Sequence, residues 1–351
     1  MRCKKVSELK DNDVLAREIL TEDYITILPK GTVLKAKYIK KLQELNIKKV
    51  YVVDGEDDTS EEVMILKSEM EDHVREKVKD VLERHTYHHN DELAELCDAA
   101  DNVIGSIVQE EEVVEQVFDI KERSADIYEH SLSVCTLAVL IALKLELPQD
   151  TVHDIGVACL LHDVGLRYLA IDYDNEKLSS LSEGDMAEFK KHPVYGYSAL
   201  KDEHWISDIS KNMILYHHER LDGSGFPLHA TKLSTPVEII NICDAFDEMI
   251  CGIGQDKVKV HEAVEYLKAF KNVKFNGTIV DIFLQFTAVY PVGTKVMTNE
   301  GETGVVIRQN KEFADRPVLQ IHIAADGKKL AKEKIIDMVK VHHVFIDKVL
   351  D

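Results

Sequence analysis

The chain has 351 residues, of which 45% are hydrophobic and 30% charged, and its formal net charge is −21. These values are typical of a soluble globular protein of about two domains. They exclude a non-specific binder of duplex nucleic acid or of anionic membranes, because either partner requires a basic surface. We expect no membrane insertion, since no apolar run approaches about 18 residues and no hydrophobic signal region opens the sequence.

Residues 1–55 are predicted to form a small α+β module. The segment ILPKGTVL at 27–34 places a proline and a glycine in a turn between two apolar stretches. A short helix is expected at 37–45, and the apolar run at 47–53 is strand-like.

Residues 60–124 form a predicted helical linker that is rich in charge and nearly free of Gly and Pro. Its apolar side chains recur at spacings of three and four, which is the pattern of an amphipathic helix. These residues are Val63, Leu66, Met70, Val74, Val78 and Val81. The stripe either packs on neighbouring helices or forms a coiled coil that makes a homodimer. Three linker histidines, His85, His88 and His89, lack nearby cysteines and are predicted to be solvated.

Residues 125–290 have the pattern of a helical bundle, and residues 291–351 turn to β-structure. Ser182 followed by Asp185 is similar to a capping box and predicts a helix start just ahead of His192. Turn residues separate the strand-like runs of the last segment. The predicted fold class is therefore mainly α, with a small α+β module before the bundle and a small β module after it.

The six cysteines are scattered along the chain and contain no CxxC pair. Such spacing predicts reduced thiols, several of them in the core. We therefore predict a cytoplasmic protein.

Two segments carry the chemistry, LHDVGL at 161–166 and HHERLDGSGFP at 217–227. Histidine nitrogens combined with a carboxylate that is able to bridge cations are the ligands of a multinuclear hydrolytic metal site. His217 and His218 are adjacent, so on a helix their side chains point about 100° apart and suit two different ions. The glycines that follow permit a tight loop beside such a site. The pattern predicts metal-dependent phosphoester hydrolysis.

A second His-Asp pair, His153 with Asp154, lies nine residues before His162. Nine helical residues turn the chain by about 900°, which leaves the two histidines half a turn apart. They cannot face one site, and we interpret His153 and Asp154 as structural residues near the start of their helix.

Three further candidates are weak when taken singly. Asp126 and His130 are four residues apart and share one helix face. His192 stands before Pro193, and Asp244 follows an apolar run, where a carboxylate needs a partner. An ordinary structural role explains each of them equally well.

Taken in order, five motifs resemble those of the HD-GYP family of cyclic dinucleotide phosphodiesterases. They are YEHSLSV, LHDVG, KKHPVYG, YHHERLDGSGFP and CDAFD, within about residues 125–290. The N-terminal module and the β tail are similar to extensions of some family members. The resemblance implies an HD-type helical bundle with a bi- or trinuclear site of divalent iron or manganese. It also implies a cyclic dinucleotide substrate, with cyclic di-GMP as the first candidate.

The resemblance further implies a ligand set, taken motif by motif. The implied ligands are His130, His162, Asp163, His192, His217, His218 and Asp244, with Asp126 at the place where members with a third ion have Glu. Asp163 is expected to bridge two ions and to form the catalytic core with His162. Attack on phosphorus by a hydroxide between the ions would open the cyclic dinucleotide to a linear product. The implied role is second-messenger signalling in a bacterium.

Residues around the ligands have expected roles as well. The candidates for shaping the adjacent loop, orienting neighbouring groups or contacting substrate are Asp222, Gly223, Gly225, Glu219, Arg220 and Arg167. The first three are expected to shape the loop. Glu219 and Arg220 are expected to orient ligands, and direct phosphate contact is the alternative for Arg220.

Three departures from the family pattern bear on activity. Leu166 replaces the Lys of HDxGK, whose ammonium would stabilise phosphate charge, and Arg167 beside it points about 100° away on a helix. The Arg-rich motif expected after Asp244 is absent from EMICGIGQDKVKV, and Phe226 replaces the Tyr of GYP. The alternatives are a working phosphodiesterase of altered rate or specificity and a catalytically impaired signalling protein that keeps the metals and binds ligand. A third is an HD-type hydrolase of another phosphoester.

Overall fold

A computed structural model of the chain describes most of its residues. The described ranges are 2–6, 9–11, 13–15, 19–20, 26–28, 31–44, 47, 49–52, 66, 68–85, 90–109, 117–120, 125–171, 178, 180–311 and 313–350. The chain divides into two compact units, Met1–Glu61 with Lys67–Asp72, and Glu62–Leu66 with His73–Asp351.

The first unit combines short strands with a helix. In chain order these are β1 (Arg2–Lys5), β2 (Ile19–Leu20), β3 (Thr26–Leu28), α1 (Ala36–Glu44) and β4 (Lys49–Val52). Strand β1 pairs antiparallel with β4, and β2 pairs antiparallel with β3. The unit has an apolar core of its own, made of Val6, Leu15, Ile19, Leu34, Leu42, Val50 and Val52.

The linker contains helices α2 (Ser68–Arg84) and α3 (Glu95–Gln109). Most of its apolar stripe is buried within the single chain. The buried members are Leu66, Met70, Val74, Val78 and Val81. Burial favours packing inside the chain over a coiled-coil dimer as the role of this stripe. Val63 lies outside the described residues.

His85 corrects the prediction that the linker histidines are solvated. Its side chain is only 4% exposed, and its Nε2 is hydrogen-bonded to the Tyr168 hydroxyl. The hydroxyl lies on the chain segment just after the predicted metal motif, a long-range contact that the linker sequence does not reveal. His88 and His89 lie outside the described residues.

Helices α4 to α11 form the bundle, with α4 packed against both α5 and α9. Helix α4 is buried on nearly all sides, so it lacks the polar face of a surface helix. The bounds are α4 Ile127–Lys144, α5 Gln149–Leu161, α6 Glu183–Phe189, α7 His192–Leu200, α8 Asp208–Tyr216, α9 Thr235–Cys251, α10 Val260–Ala269 and α11 Gly277–Phe286. As predicted, Ser182 Oγ accepts a hydrogen bond from Asp185 N at 3.1 Å and caps α6.

Helix α4 also corrects the expectation that the sequence has no apolar run long enough to cross a membrane. Its 18 residues have a mean hydropathy of 1.4, and 67% of them are buried inside the protein. A mostly buried helix of this kind is the pattern of a core helix. Among the described helices, α4 alone passes this test of length and hydropathy.

The last segment is an antiparallel sheet of five strands in the order β8-β7-β6-β5-β9. Its strands are β5 Lys295–Thr298, β6 Thr303–Asn310, β7 Phe313–Ile323, β8 Lys329–Asp337 and β9 Ile346–Val349. The sheet has its own apolar core, which includes Val296, Leu319 and Ile336. The predicted fold class, a helical bundle with a small α+β module and a small β module, is confirmed.

Candidate metal centre

The structure gathers the predicted histidines and aspartates, except Asp126, at the centre of the bundle. They come from α4 (His130), the end of α5 (His162, Asp163), the start of α7 (His192), the end of α8 (His217, His218) and α9 (Asp244). Their candidate ligand atoms form groups in which all atoms lie within 4.8 Å of one another. Short motifs from five helices therefore converge on one site.

Asp163 faces two pairs of histidines with its two carboxylate oxygens. Its Oδ1 lies 3.4 Å from His192 Nε2 and 3.7 Å from His217 Nε2. Its Oδ2 lies 3.4 Å from His162 Nε2 and 3.9 Å from His130 Nε2. A carboxylate with one oxygen toward each of two ligand groups has the geometry that bridges two cations. We name these groups the His162 corner (His130, His162, Asp163) and the His192 corner (Asp163, His192, His217, His218).

Asp244 approaches the His162 corner from α9. Its Oδ1 lies 3.3 Å from His130 Nε2 and 3.6 Å from His162 Nε2, and its Oδ2 lies 3.4 Å from His218 Nδ1. The side chain is 1% exposed, and neither oxygen has a hydrogen-bond partner of good geometry in the described part of the chain. A buried carboxylate without such a partner is unfavourable unless a cation compensates it. The site therefore fits a bound cation.

The spacing of the imidazole nitrogens fits metal coordination as well. Two ligand atoms at about 2.1 Å from one ion lie about 3.0–3.4 Å apart in octahedral or tetrahedral geometry. The Nε2 atoms of His192 and His217 are 3.1 Å apart, and those of His130 and His162 are 3.2 Å apart. These clusters are able to hold divalent metal ions.

Three of the histidines are oriented by backbone carbonyls. In each, Nδ1 donates to the carbonyl oxygen three residues earlier, at 2.7 Å for His162, 2.8 Å for His217 and 2.9 Å for His192. A carbonyl oxygen only accepts, so the proton must be on Nδ1. In the neutral form of each ring the Nε2 lone pair then faces the cluster, which is the tautomer that a metal ligand requires.

His130 is oriented by a carboxylate instead. Its Nδ1 lies 2.8 Å from Asp247 Oδ2, and Ser133 Oγ donates to Asp247 Oδ1 at 2.7 Å. A carboxylate behind a ligating histidine fixes the ring and raises its basicity. Sequence reasoning missed the buried Asp247, although its spacing of three residues from Asp244 places both on one helix face.

The charges of the cluster are divided between its two sides. Burial and the neighbouring imidazoles lower the pKa of His217 to about 3, and burial lowers the pKa values of His192 and His218. On the other side, burial is outweighed by the nearby aspartates, which raise the pKa of His130 to about 9 and that of His162 well above its usual value. The first three are therefore neutral at pH 7, as ligands must be.

Asp126 is engaged elsewhere. Its Oδ1 accepts hydrogen bonds from the backbone N of Tyr128 and of Glu129, both at 3.0 Å, and so caps α4. Its Oδ2 pairs with Arg75. Burial raises the pKa of this carboxyl, but the backbone hydrogen bonds and Arg75 outweigh it and lower the pKa. Asp126 belongs to none of the candidate ligand groups of the described residues, and its role as a metal ligand stays a prediction.

Glu219 anchors the loop that follows the His217-His218 pair. The residue is fully buried, and its Oε1 and Oε2 accept hydrogen bonds from Leu228 N at 2.6 Å and Ala230 N at 2.9 Å. A fixed carboxylate that binds two backbone amides holds the loop in one conformation. This geometry supports the predicted orienting role.

Arg220 is held beside the backbone. It donates to the carbonyl oxygens of His217 at 3.2 Å and Glu219 at 2.9 Å. Its guanidinium carbon lies 5.2 Å from the centre of the Phe275 ring, within the range of a cation–π contact. These contacts favour an orienting role over a direct contact with phosphate.

The glycine loop packs tightly against the histidine pair. A Cβ atom at Gly225 would lie 2.4 Å from the carbonyl oxygen of His218, so only glycine fits there. Gly223 has a φ of +76°, a backbone conformation that favours glycine. Asp222 Oδ1 accepts from Ser224 N at 2.9 Å and closes the turn. The three residues that were expected to shape the loop therefore have local reasons to do so.

Phe226 keeps the aromatic contact expected at its position. Its ring stacks on His218 with centroids 4.5 Å apart and lies 6.2 Å from the ring of His192. Lys190 Nζ lies 5.5 Å from the centre of the Phe226 ring. The ring thus covers the His192 corner, without the hydroxyl of a tyrosine.

Leu166 and Arg167 line one cavity of about 370 Å³, together with Asp163. Leu166 is 7% exposed and packs with Leu178 and Phe189 in an apolar cluster. Arg167 is exposed on the protein surface. Both residues lie in a short 3₁₀ turn after Asp163, not in an α-helix as the sequence predicts.

The interpretation of His153 as a structural residue agrees with its position. Its Nδ1 lies 2.7 Å from Asp101 Oδ1 on α3, with both side chains at the surface. The residue belongs to none of the candidate ligand groups among the described residues. Helix phase therefore separates His153 from His162 as expected.

A carboxylate that sequence reasoning missed completes a third group. Glu248 is half-buried on α9, one helical turn after Asp244. The ligand atoms of His218, Asp244 and Glu248 all lie within 4.8 Å of one another, and we name this group the Glu248 corner. The spacing of four residues places Glu248 on the same helix face as Asp244. Glu248 lies in the segment where an Arg-rich motif was expected, and it does not belong to that motif.

Two known domain families match the bundle and the C-terminal sheet of this chain. The HD domain family matches residues 112–279, and a KOW domain associated with the HD domain matches residues 295–351. The structure is similar to that of Bd1817, an HDG"Y"P protein from Bdellovibrio bacteriovorus, with a TM-score of 0.52 and 21% identity over 80% of this chain and 97% of that one. At this identity the similarity shows the fold alone.

Two curated relatives are similar to this chain at higher sequence identity. The cyclic di-GMP phosphodiesterase PA4108 of Pseudomonas aeruginosa is 27% identical over 250 residues, which are 70% of this chain and 60% of that protein. The cyclic di-GMP phosphodiesterase response regulator RpfG of Xanthomonas campestris pv. campestris is 31% identical over 153 residues, 42% of this chain and 40% of that protein. The chain thus spans 60% or less of the length of these relatives. Residues 112–279 therefore form an HD domain, and the curated relatives support the resemblance of this chain to the HD-GYP family.

Proposed function

We propose that this chain is a metal-dependent phosphodiesterase that opens a cyclic dinucleotide, with cyclic di-GMP as the first candidate, to a linear dinucleotide or to mononucleotides. The observation that carries the proposal is Asp163, whose two oxygens face the His162 corner and the His192 corner. The names of the two curated relatives support the substrate class. Imidazole and carboxylate ligands suit divalent iron and manganese, which are the proposed metals.

The residues of the chain would hold and orient the reacting groups. Asp163 would keep two ions side by side, and the neutral His192 and His217 would present their Nε2 lone pairs. When bound, divalent ions lower the pKa of water for attack on phosphorus and balance the charge of the phosphoryl oxygens. Glu219 would keep the loop over His218 in place while the substrate binds.

The proposal is tested by metal content and turnover of the full chain, purified without oxygen. Mass spectrometry of the metals gives the content, and chromatography follows cyclic di-GMP with Fe²⁺ or Mn²⁺ present. We expect the wild type to bind metal and release a linear product, and Asp163→Asn to lose both properties. His153→Ala, which changes a histidine outside the cluster, is the matched control and should keep both.

A second function is favoured by Leu166, namely a ligand-binding signalling protein that keeps the metals without turnover. Leu166 packs in an apolar cluster where an ammonium would meet phosphate charge. Tight binding of cyclic di-GMP by the metal-loaded protein, with no linear product, would establish this second function and overturn the first. A product formed only from another cyclic dinucleotide or phosphoester would keep the hydrolase and change its substrate.

We further propose a cytoplasmic location. Cys97, Cys135, Cys159, Cys243 and Cys251 are free thiols, and all but Cys97 are buried. Thiols that stay reduced suit a reducing compartment. Fractionation of the native host with an antibody to the chain tests this location.

A further inference from the structure

We propose that Glu248 is a metal ligand and that, together with His218 and Asp244, it holds a cation at the Glu248 corner. The inference rests on the proposed function, because it concerns the same metal centre. It adds a residue that lies outside the five motifs from which the other ligands were identified, and it places a further ion on the α9 side of the cluster.

The geometry of Asp244 supports a further ion position. Its Oδ1 faces the two histidines of the His162 corner, whereas its Oδ2 lies 3.4 Å from His218 Nδ1. This division repeats the arrangement of Asp163, with one oxygen for each of two ligand groups. Asp244 is thus placed to bridge the His162 corner and the Glu248 corner.

Two carboxylates meet at the Glu248 corner without a protein cation between them. The buried oxygens of Asp244 lack hydrogen-bond partners of good geometry among the described residues, and the three imidazole nitrogens near them lie 3.3–3.6 Å away. The carboxylate of Glu248 makes no hydrogen bond or ion pair with any residue that the structure describes. Two such groups within 4.8 Å of each other repel when both are ionised. A divalent ion at this point would remove the repulsion and supply the missing partners.

Asp126 is the competing source of an additional carboxylate. Its oxygens are already used by the backbone amides at the start of α4 and by Arg75. Recruiting it to the cluster would uncap the helix and break this ion pair. Glu248 needs no such rearrangement, because its oxygen already lies within ligand reach of Asp244 and His218.

The ligand chemistry defines the class of ion. One imidazole with two carboxylates is a mixed set of nitrogen and oxygen ligands. Such a set suits Mn²⁺ or Fe²⁺, whereas sulfur ligands select softer ions. The probe for the test is therefore Mn²⁺ alone, which is stable in air.

The test is the number of Mn²⁺ ions bound per chain, measured by calorimetry and by metal analysis after gel filtration. Glu248→Gln keeps the size of the side chain and removes its charge, so the fold is preserved. We expect this variant to lose about one Mn²⁺ per chain, or to bind one of the ions at least about tenfold more weakly. Glu248→Asp keeps a carboxylate on a shorter side chain. Its affinity for Mn²⁺ should lie between that of the wild type and that of Glu248→Gln.

Two further variants make the result specific. Glu238→Gln removes a glutamate from the same helix, at a position hydrogen-bonded to Asn276, and should bind Mn²⁺ like the wild type. Asp126→Asn should also keep the wild-type number of ions. Wild-type binding by Glu248→Gln, or loss of an ion from Asp126→Asn alone, would overturn the inference.

The outcome is separable from that of the proposed function. If the wild type binds Mn²⁺ and Asp163→Asn does not, the metal centre stands whatever Glu248→Gln shows. If the wild type binds neither Mn²⁺ nor, in the absence of oxygen, Fe²⁺, both the proposed function and the role of Glu248 are overturned. Circular dichroism of each variant identifies any change that comes from unfolding.

Discussion

At position 166 an aliphatic side chain forms part of the wall of a cavity that Asp163 also lines. A lysine there would bury its methylene groups against Leu178 and Phe189 and extend its ammonium along the cavity. The leucine instead leaves Arg167 as the cation on this wall. The side chain at position 166 therefore determines the charge that a phosphate would meet beside Asp163.

Leu166→Lys should raise kcat/KM for cyclic di-GMP. A hydrogen bond to a charged group contributes about 1.5–3 kcal/mol, which corresponds to a rate increase of about tenfold to a hundredfold. Leu166→Met, which has nearly the same volume and no charge, is the control and should leave the rate unchanged. An unaltered rate in Leu166→Lys, at unaltered metal content, would show that a missing phosphate contact does not limit this protein.

Gly165→Ala should disturb the metal centre through the backbone. An added Cβ would lie 1.9 Å from the carbonyl oxygen of His192, so the start of α7 must shift and take that histidine with it. We expect loss of bound metal and a lower melting temperature. In Gly105→Ala a Cβ would meet nothing within 4 Å, and this control should gain about 0.5–1 kcal/mol of stability in its helix. Full metal content in Gly165→Ala would contradict the prediction.

A sequence motif predicts the role of a residue only when a single role is compatible with its spacing. The His-Asp and His-His pairs converge in space as the sequence indicated. Asp126 shows the limit, because a carboxylate four residues before His130 suits both a metal ligand and a helix cap. Asp247 and Glu248 show another, because a carboxylate in a helix gains its role from groups that are distant in sequence.

At the scale of elements, one residue at the beginning of α4 makes both a helix cap and an ion pair. Asp126 binds two backbone amides of the first turn and also pairs with Arg75 on α2. Removal of a capping carboxylate costs about 1 kcal/mol in typical helices. The cap therefore links the helix of His130 to the linker helix.

Asp126→Ala should destabilise the protein at pH 7 and lose that effect in acid. Because the pKa of the carboxyl is lowered in the folded state, its stabilisation is present above the ordinary aspartate pKa and is lost as the pH falls through the lowered value. Urea unfolding with chelator present, at pH 7 and in acid, measures the difference from wild type. Ser182→Ala, which removes an uncharged cap from α6, should show a difference that does not follow this titration. A constant difference for Asp126→Ala at both pH values would contradict the account.

The length of the apolar stretch in α4, unlike its place in the bundle, was concealed by its polar residues. Ser131 Oγ donates to the carbonyl oxygen of Ile127 at 3.0 Å, and Thr136 Oγ1 donates to that of Leu132 at 2.8 Å. These hydroxyls satisfy their hydrogen bonds within the helix, so they can be buried among aliphatic residues. A count of apolar letters treats them as interruptions, whereas the cap of α6 was predictable because it depends on adjacent residues alone.

At the scale of the molecule, the cluster connects α4, α5, α7, α8 and α9 at one point. The order of modules was evident from sequence periodicity, but the convergence of these helices depends on their packing. A ligand that binds only the folded state adds stability, about 2.7 kcal/mol at a concentration of 100 times its Kd. Bound ions are therefore expected to hold the bundle together.

Chelation should lower the melting temperature of the bundle. The single tryptophan of the chain, Trp205, lies between α7 and α8, so its fluorescence reports the unfolding of this region. We expect the transition to move down when EDTA is added and to return with Mn²⁺. His162→Ala, which leaves the His192 corner intact, should show a smaller shift than the wild type. Equal shifts in wild type and His162→Ala would mean that the ions act elsewhere.

The hydrogen bonds from Nδ1 of the neutral His192 and His217 to backbone carbonyls have a kinetic consequence. These rings already have the tautomer and direction that an ion needs, so no ring flip or proton shift must precede its arrival. Uptake at the His192 corner should then be set by the path of the ion from solvent, not by rearrangement of the protein. Stopped-flow association of Mn²⁺ should accordingly be a single phase whose rate rises linearly with ion concentration.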